Sequence, residues 1–144
     1  MPRRKKVKSI IDTNLFISFL IGKRLKGLKK LIIDSKVELI FSEQNITELK
    51  IVTKRPKLQK YFDPEEVENL IDFIFNIGLI YKITIEPQLS RDPKDNFLLG
   101  LADKSKADYL VTGDKDLLVI KKYKNTKIIT IEEFEKVLIY GTKA

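Results

Sequence analysis

The sequence predicts an α/β fold in which a central parallel sheet of about five strands is covered by helices on both faces. Three observations carry this expectation. Short apolar runs rich in β-branched residues alternate with longer stretches of helical periodicity. Several of the longer stretches open on helix-start residues, as in "DPEE" at 63–66 and "RDPK" at 91–94. No repeat, low-complexity linker or shift in composition divides the 144 residues, so the chain reads as one domain, 1–144.

The elements follow in order. Val7 to Ile11 is short, apolar and β-branched, and reads as a buried strand. Asn14 to Leu20 begins a helix, and Leu25, Leu28, Leu31 and Ile32 space a second one ending near Asp34. "KVELIFS", residues 36–42, is a strand, and Ser42 caps the next helix, whose apolar face is Ile46, Leu49 and Val52. Asp63 as cap, Pro64 at the first position and Glu66 closing a capping box start a helix that ends at Gly78. "LIYKITI", residues 79–85, is a strand. Asp92 then caps a helix with Phe97, Leu98, Leu101 and Ala102 facing inward. Tyr109 to Thr112 and "TKIIT" at 126–130 are the last strands, and Thr130 with Glu133 boxes the final helix.

Composition narrows the chemistry. With 43% apolar and 33% charged residues the chain has a globular profile and a charged surface. It carries 28 Lys and Arg against 20 Asp and Glu, a net charge of +8. Such an excess suits an anionic partner, nucleic acid first, although Lys-rich solvated surfaces also occur in heat-adapted proteins. Cys and His are both absent, which excludes thiol nucleophiles, Ser-His-Asp schemes and imidazole or thiolate metal sites. Catalysis is left to carboxylates, Lys, Tyr or hydroxyls, and any metal to a hard ion held by oxygen, Mg²⁺ or Mn²⁺. The N-terminal "MPRRKKVK" before an apolar run imitates a signal peptide, but Asp12 and Asn14 interrupt the run and no small-residue cleavage site follows. A cytoplasmic protein with a basic arm at residues 1–6 is expected.

Sites in open parallel sheets form outside the carboxyl ends of the strands. Asp12 ends the first strand, and Asp114 and Asp116 follow the strand Tyr109 to Thr112. Asp95 falls in the first turn of the helix before that strand, and Glu48 about a turn and a half into the helix after Ser42. Two like charges about 4 Å apart repel by ~1 kcal/mol in water and ~4 kcal/mol at an effective dielectric of 20. A divalent cation removes that conflict, so converging carboxylates point to Mg²⁺ or Mn²⁺. Each acid also has a structural role open to it. Asp12 can cap a helix, Asp95 can favour a helix N-terminus, Glu48 can be solvent-exposed, and Asp114 and Asp116 can be turn residues.

"SIIDTNLFISFL", "FSEQNITELKIV", "RDPKDNFLLGLA" and "ADYLVTGDKDLL" together resemble the four acidic motifs of the PIN domain family, in particular its VapC-like branch of toxin components of toxin–antitoxin pairs. The resemblance covers nearly the whole chain in the right order. It implies a three-layer α/β/α sandwich and a Mg²⁺- or Mn²⁺-dependent endoribonuclease. It places the family's acids on Asp12, Glu48 and Asp95, and the fourth on Asp114 or Asp116, with Asp114 nearer the strand. Thr13, Asn14 and Thr112 would orient those acids. It further implies an RNA substrate, a protein antitoxin as partner, and a homodimer. The arm residues Arg3, Arg4, Lys5 and Lys6 depart from the family pattern, and would either extend the RNA footprint or form a solvated tail. At ~3.3 Å per residue they lie roughly 17 Å from Asp12 and are not catalytic.

Two other classes compete. One is a nucleic-acid or protein binding module with a non-catalytic acidic cluster. The other is a signalling receiver domain, which wants an acidic pair at the end of the first strand and a Lys after the last. Here the first strand ends in one Asp, and "TKIIT" is followed by Ile131-Glu132-Glu133.

Overall fold

The fold comes from a computed structural model that describes residues 7–35, 37–82 and 93–140. Its strands are β1 (Lys8–Ile11), β2 (Glu38–Ser42), β3 (Gly78–Tyr81), β4 (Tyr109–Val111), β5 (Lys122–Tyr123) and β6 (Thr126–Ile129). Its helices are α1 (Thr13–Ile21), α2 (Leu25–Ser35), α3 (Glu43–Thr53), α4 (Pro64–Ile77), α5 (Pro93–Ser105), α6 (Lys115–Leu118) and α7 (Ile131–Tyr140), with a 3-10 helix at Pro56–Tyr61. The sheet order is β3-β2-β1-β4-β6-β5, parallel throughout except for β5 against β6. The predicted mostly parallel sheet with helices on both faces is therefore the architecture found.

The period of two along each strand sorts the core into two halves. Ile11, Leu39, Phe41, Val111 and Ile129 pack beneath α1, α2, α3, α4 and α7. Ile10, Ile40, Leu110 and Ile128 point the other way, onto α5 and α6. Strands buried on both faces read as continuous apolar runs, and that is why "SII" and "ELIF" show no alternation. From β1 the chain steps outward to β2 and β3, then α5 carries it back across the sheet to β4 on the other side of β1. The direction of winding reverses there, so right-handed crossovers place α5 on the opposite face. The carboxyl ends of β1 and β4 thus flank a topological switch point.

Local signals account for several boundaries. Ser42 Oγ accepts from the Asn45 amide at 3.0 Å, while the Asn45 side chain accepts from the Ser42 amide at 3.1 Å, a capping box built with Asn in place of Glu. Thr130 and Glu133 form the expected box at α7, with both reciprocal bonds at 3.2 Å. At α4 the expected box does not form. Asp63 accepts from the Glu65 amide at 3.0 Å, and Glu66 instead lines a cavity together with Lys29. Gly78 ends α4 and starts β3 without an intervening loop. A Cβ there would lie 2.5 Å from the Ile74 carbonyl oxygen and 2.8 Å from the Phe41 ring, so only glycine fits that close approach.

The structure adds β5, α6 and the 3-10 helix to the elements predicted, making six strands among the described residues where about five were expected. The expected Asp92 cap, and the end of the strand predicted over 79–85, lie outside the described residues. Ser9 is fully buried in β1, on the face of Ile11, and its hydroxyl finds no hydrogen-bond partner among the described residues. An unpaired buried hydroxyl costs on the order of 1–3 kcal/mol. Ser9→Ala is therefore expected to raise stability by about 1 kcal/mol, a Tm increase of roughly 2–4 °C for a chain of this size. A thermal melt that moves downward would show that the hydroxyl is hydrogen-bonded after all.

Candidate metal centre at the switch point

The acids gather where β1 and β4 end. Asp12 follows β1, and its amide donates to the Val111 carbonyl at 2.9 Å, which ties the two strand ends together. Its side chain is 4% exposed. Oδ1 accepts from the Asn14 amide at 3.1 Å, which makes Asp12 the N-cap of α1, and Oδ2 accepts from the Thr112 hydroxyl at 2.9 Å. The structural role open to Asp12 is thus realised in the same residue that borders the site.

Thr112 links the two halves of the cluster. It is fully buried, its amide donates to the Ile129 carbonyl at 3.0 Å, and its Oγ1 accepts from the Asp114 amide at 3.1 Å. One hydroxyl therefore donates to Asp12 and accepts from the backbone of Asp114. Asp114 in turn caps α6 by accepting from the Asp116 amide at 2.9 Å. The cap bond ties the Asp116 backbone to the Asp114 carboxylate, so the two candidates for the fourth acid sit in one turn.

Asp95 completes the group. It sits in the first turn of α5 and is 2% exposed. One carboxylate oxygen from each of Asp95, Asp114 and Asp116 lies within 4.8 Å of the other two. Asp95 and Asp114 are 19 residues apart in sequence and meet only because α5 starts at the edge where β4 ends.

The remaining predicted residues are placed as follows. Glu48 lies on α3 and is half-buried, lining an open groove of about 520 Å³ with Glu43, Gln44, Thr47, Ile51 and Arg55. It is not one of the three acids that converge. Thr13 is buried, and its hydroxyl has no partner among the described residues, while Asn14 contributes its backbone amide and exposes its side chain. Arg3, Arg4, Lys5 and Lys6 lie outside the described residues.

The donor set fits a small hard cation. It offers carboxylate oxygen alone, which suits Mg²⁺ or Mn²⁺. Two oxygens on opposite sides of Mg²⁺ stand about 4.2 Å apart, twice the ~2.1 Å bond, so the three carboxylates close on such an ion with small side-chain movements. The arrangement defines a class, an α/β domain with a carboxylate site at its switch point.

Comparison with known proteins narrows the class to a family. A PIN domain model matches residues 8–116, a span that includes Asp12, Glu48, Asp95, Asp114 and Asp116. An uncharacterized protein of Methanocaldococcus jannaschii, MJ1680, is 33% identical over 146 aligned positions, covering 91% of this chain and 94% of the relative. The crystal structure of PAE2754 from Pyrobaculum aerophilum superposes with a TM-score of 0.63 at 15% identity, covering 96% of this chain and 99% of that one, a likeness of fold. The chain belongs to the PIN domain family. PIN domains are generally metal-dependent nucleases. The Methanocaldococcus relative is itself uncharacterized, so its likeness carries no activity to this chain and does not bear on the toxin branch. No described helix is long and apolar enough to cross a membrane.

Proposed function

We propose that the protein is a Mg²⁺- or Mn²⁺-dependent endoribonuclease that hydrolyses RNA phosphodiester bonds. The observation that carries this reading is the convergence of Asp95, Asp114 and Asp116, joined to Asp12 through the Thr112 hydroxyl. These three acids would hold the ion. When bound, the ion supplies Lewis acidity at the phosphate and lowers the pKa of the attacking water. Thr112 keeps Asp12 and the Asp114 turn in fixed relation, which spares the site a reorganisation when substrate arrives. Asp12, buried beside the cluster, adds negative charge that favours the cation, and Glu48 borders the groove along which a strand would leave. The net charge of +8 supplies attraction for RNA away from the acids.

The likeness of the four motifs to the VapC-like branch extends the proposal to a toxin of a toxin–antitoxin pair. Such a protein would act in the cytoplasm, form a homodimer and be neutralised by a protein antitoxin. The basic arm, Arg3 to Lys6, is proposed to widen the RNA footprint.

Purified protein is expected to cleave a labelled RNA with Mg²⁺ or Mn²⁺ and to stop in excess EDTA, recovering when metal is restored. Undiminished cleavage in EDTA would rule out this chemistry. Binding without cleavage under any metal would return the acids to their capping roles in a binding module, for which Asp12 and Asp114 are already suited.

A further inference from the structure

A second polar site lies at the far end of α1. Leu20, Lys23, Leu25, Lys26, Lys29, Glu66 and Asn69 line a cavity of about 250 Å³ between the α1–α2 turn, α2 and α4. Three lysines face one carboxylate, so the cavity carries net positive charge. Lys26 and Lys29 are three residues apart on α2, a spacing that puts both side chains on one helix face, and Lys23 joins them from the preceding turn.

The turn and the packing hold these cations in place. Gly22, Lys23 and Arg24 donate their amides back to Ser18, Leu20 and Phe19 at 2.9, 3.2 and 2.9 Å. Lys23 stands in the left-handed region, at φ 56°, where a side chain costs ~1–2 kcal/mol that glycine does not. Arg24 stacks on the Phe19 ring at 4.6 Å, and the Lys29 ammonium lies 5.3 Å from the Phe73 centroid. Burial lowers the Lys29 pKa, and the charge of Glu66 opposes that shift. A partly desolvated ammonium has given up hydration that an incoming anion would replace.

The cavity lies at the other end of α1 from Asp12. From Asp12 to Leu20 the chain advances eight residues along α1, about 12 Å at ~1.5 Å per residue.

We propose that the cavity of Lys23, Lys26 and Lys29 is a phosphate subsite for a single-stranded nucleic acid, holding the backbone away from the bond that lies at the acids. The inference rests on the nuclease reading and deepens it, by assigning part of the substrate to a place remote from the chemistry. Contacts to phosphate carry no sequence information, so the subsite is sequence-independent.

The test is binding without cleavage. A fluorescein-labelled twelve-nucleotide oligouridylate is titrated by anisotropy in EDTA across a salt series. For single strands, each neutralised phosphate contributes ~0.7 to the slope of log K against log salt. The triple variant Lys23→Gln, Lys26→Gln, Lys29→Gln is expected to lower the slope by at least that amount. A control triple, Lys106→Gln, Lys122→Gln, Lys127→Gln, removes the same charge near the amino ends of β4 and β6, away from the acids, and is expected to keep the wild-type slope. Lys26→Gln alone, at an exposed position, covers the case in which the triple variant does not fold, and should show the same change in smaller measure. Glu66→Gln is expected to tighten binding. An unchanged slope in both the triple and Lys26→Gln, or an equal fall in the control, would overturn the subsite and leave the cavity to an acidic protein segment. Failure of the wild-type protein to bind the oligonucleotide at any salt would overturn the nuclease reading as well, so the two failures are distinguishable.

Discussion

Asp114→Asn is expected to reduce metal-dependent cleavage by more than about 100-fold while leaving the fold intact. Even partners outside the coordination sphere of a metal site cost 10–100-fold when removed, and Asp114 is one of the three converging carboxylates. Asn is as good a helix cap as Asp, so the bond from the Asp116 amide survives the substitution. The variant therefore separates charge from capping. Without metal it relieves repulsion among carboxylates whose oxygens lie within 4.8 Å, and the melting temperature should stay level or rise. Activity assays beside circular dichroism melts in EDTA check both halves. A clear fall in Tm with little loss of activity would mean that Asp114 is a structural residue only. Asp116 is exposed, and its Asn variant should show a smaller loss because solvent already screens its charge.

Phe16→Ala is expected to destabilise the protein far more than any substitution among the acids. Phe16 is fully buried on α1 and its ring lies 5.9 Å from that of Phe41 on β2. Truncating a buried Phe costs roughly 3–5 kcal/mol, because the neighbours only partly refill the space. That is a large share of the ~5–15 kcal/mol that holds a domain together. The loss in Tm should be on the order of 10 °C. Because Phe16 anchors the helix that Asp12 caps, residual activity should fall further as temperature rises. Urea titration gives the free energy. A cost below about 1 kcal/mol would mean that α1 does not pack on β2 through this ring.

The parts of this molecule that were legible in its sequence are those decided within a few residues. β1 announces itself as an apolar run ended by Asp12, and the caps at Ser42, Asp63 and Thr130 are local bonds spanning two or three positions. The β5–β6 hairpin was not legible. It turns through Lys124 at φ 53°, and the usual sign of such a turn is Asn-Gly or Asp-Gly, which "YKNT" lacks. Its first strand is two residues long and has no apolar pattern to find. The capping box expected at Glu66 does not form, and that residue instead lines a cavity with Lys29 of α2, a neighbour that the local pattern does not reveal.

The same distinction holds at the site. Asp12, Asp95, Asp114 and Asp116 could each be picked out by a place near the end of a strand or the start of a helix. That Asp95 meets Asp114 and Asp116 depends on α5 crossing the sheet at the switch point, a long-range consequence of strand order. The bridging role of Thr112 needed the register of β1 against β4, in which Ile11 pairs with Val111 and brings the next residues, Asp12 and Thr112, side by side. The lysine cavity was written in "GKRLKGLKK" as a three-residue spacing, but the leucines of the same segment show the stronger helical signal, and only the packing of α2 against α4 turns the lysines into a cavity.

The central claim is that the three carboxylates at the switch point hold a catalytic cation. Crystals soaked in Mn²⁺ and measured at the manganese absorption edge test it most directly. The account predicts an anomalous peak among Asp95, Asp114 and Asp116, within about 2.3 Å of one oxygen from each, that disappears in Asp114→Asn. A soaked crystal with no peak there, or with the same peak in the variant, would contradict it.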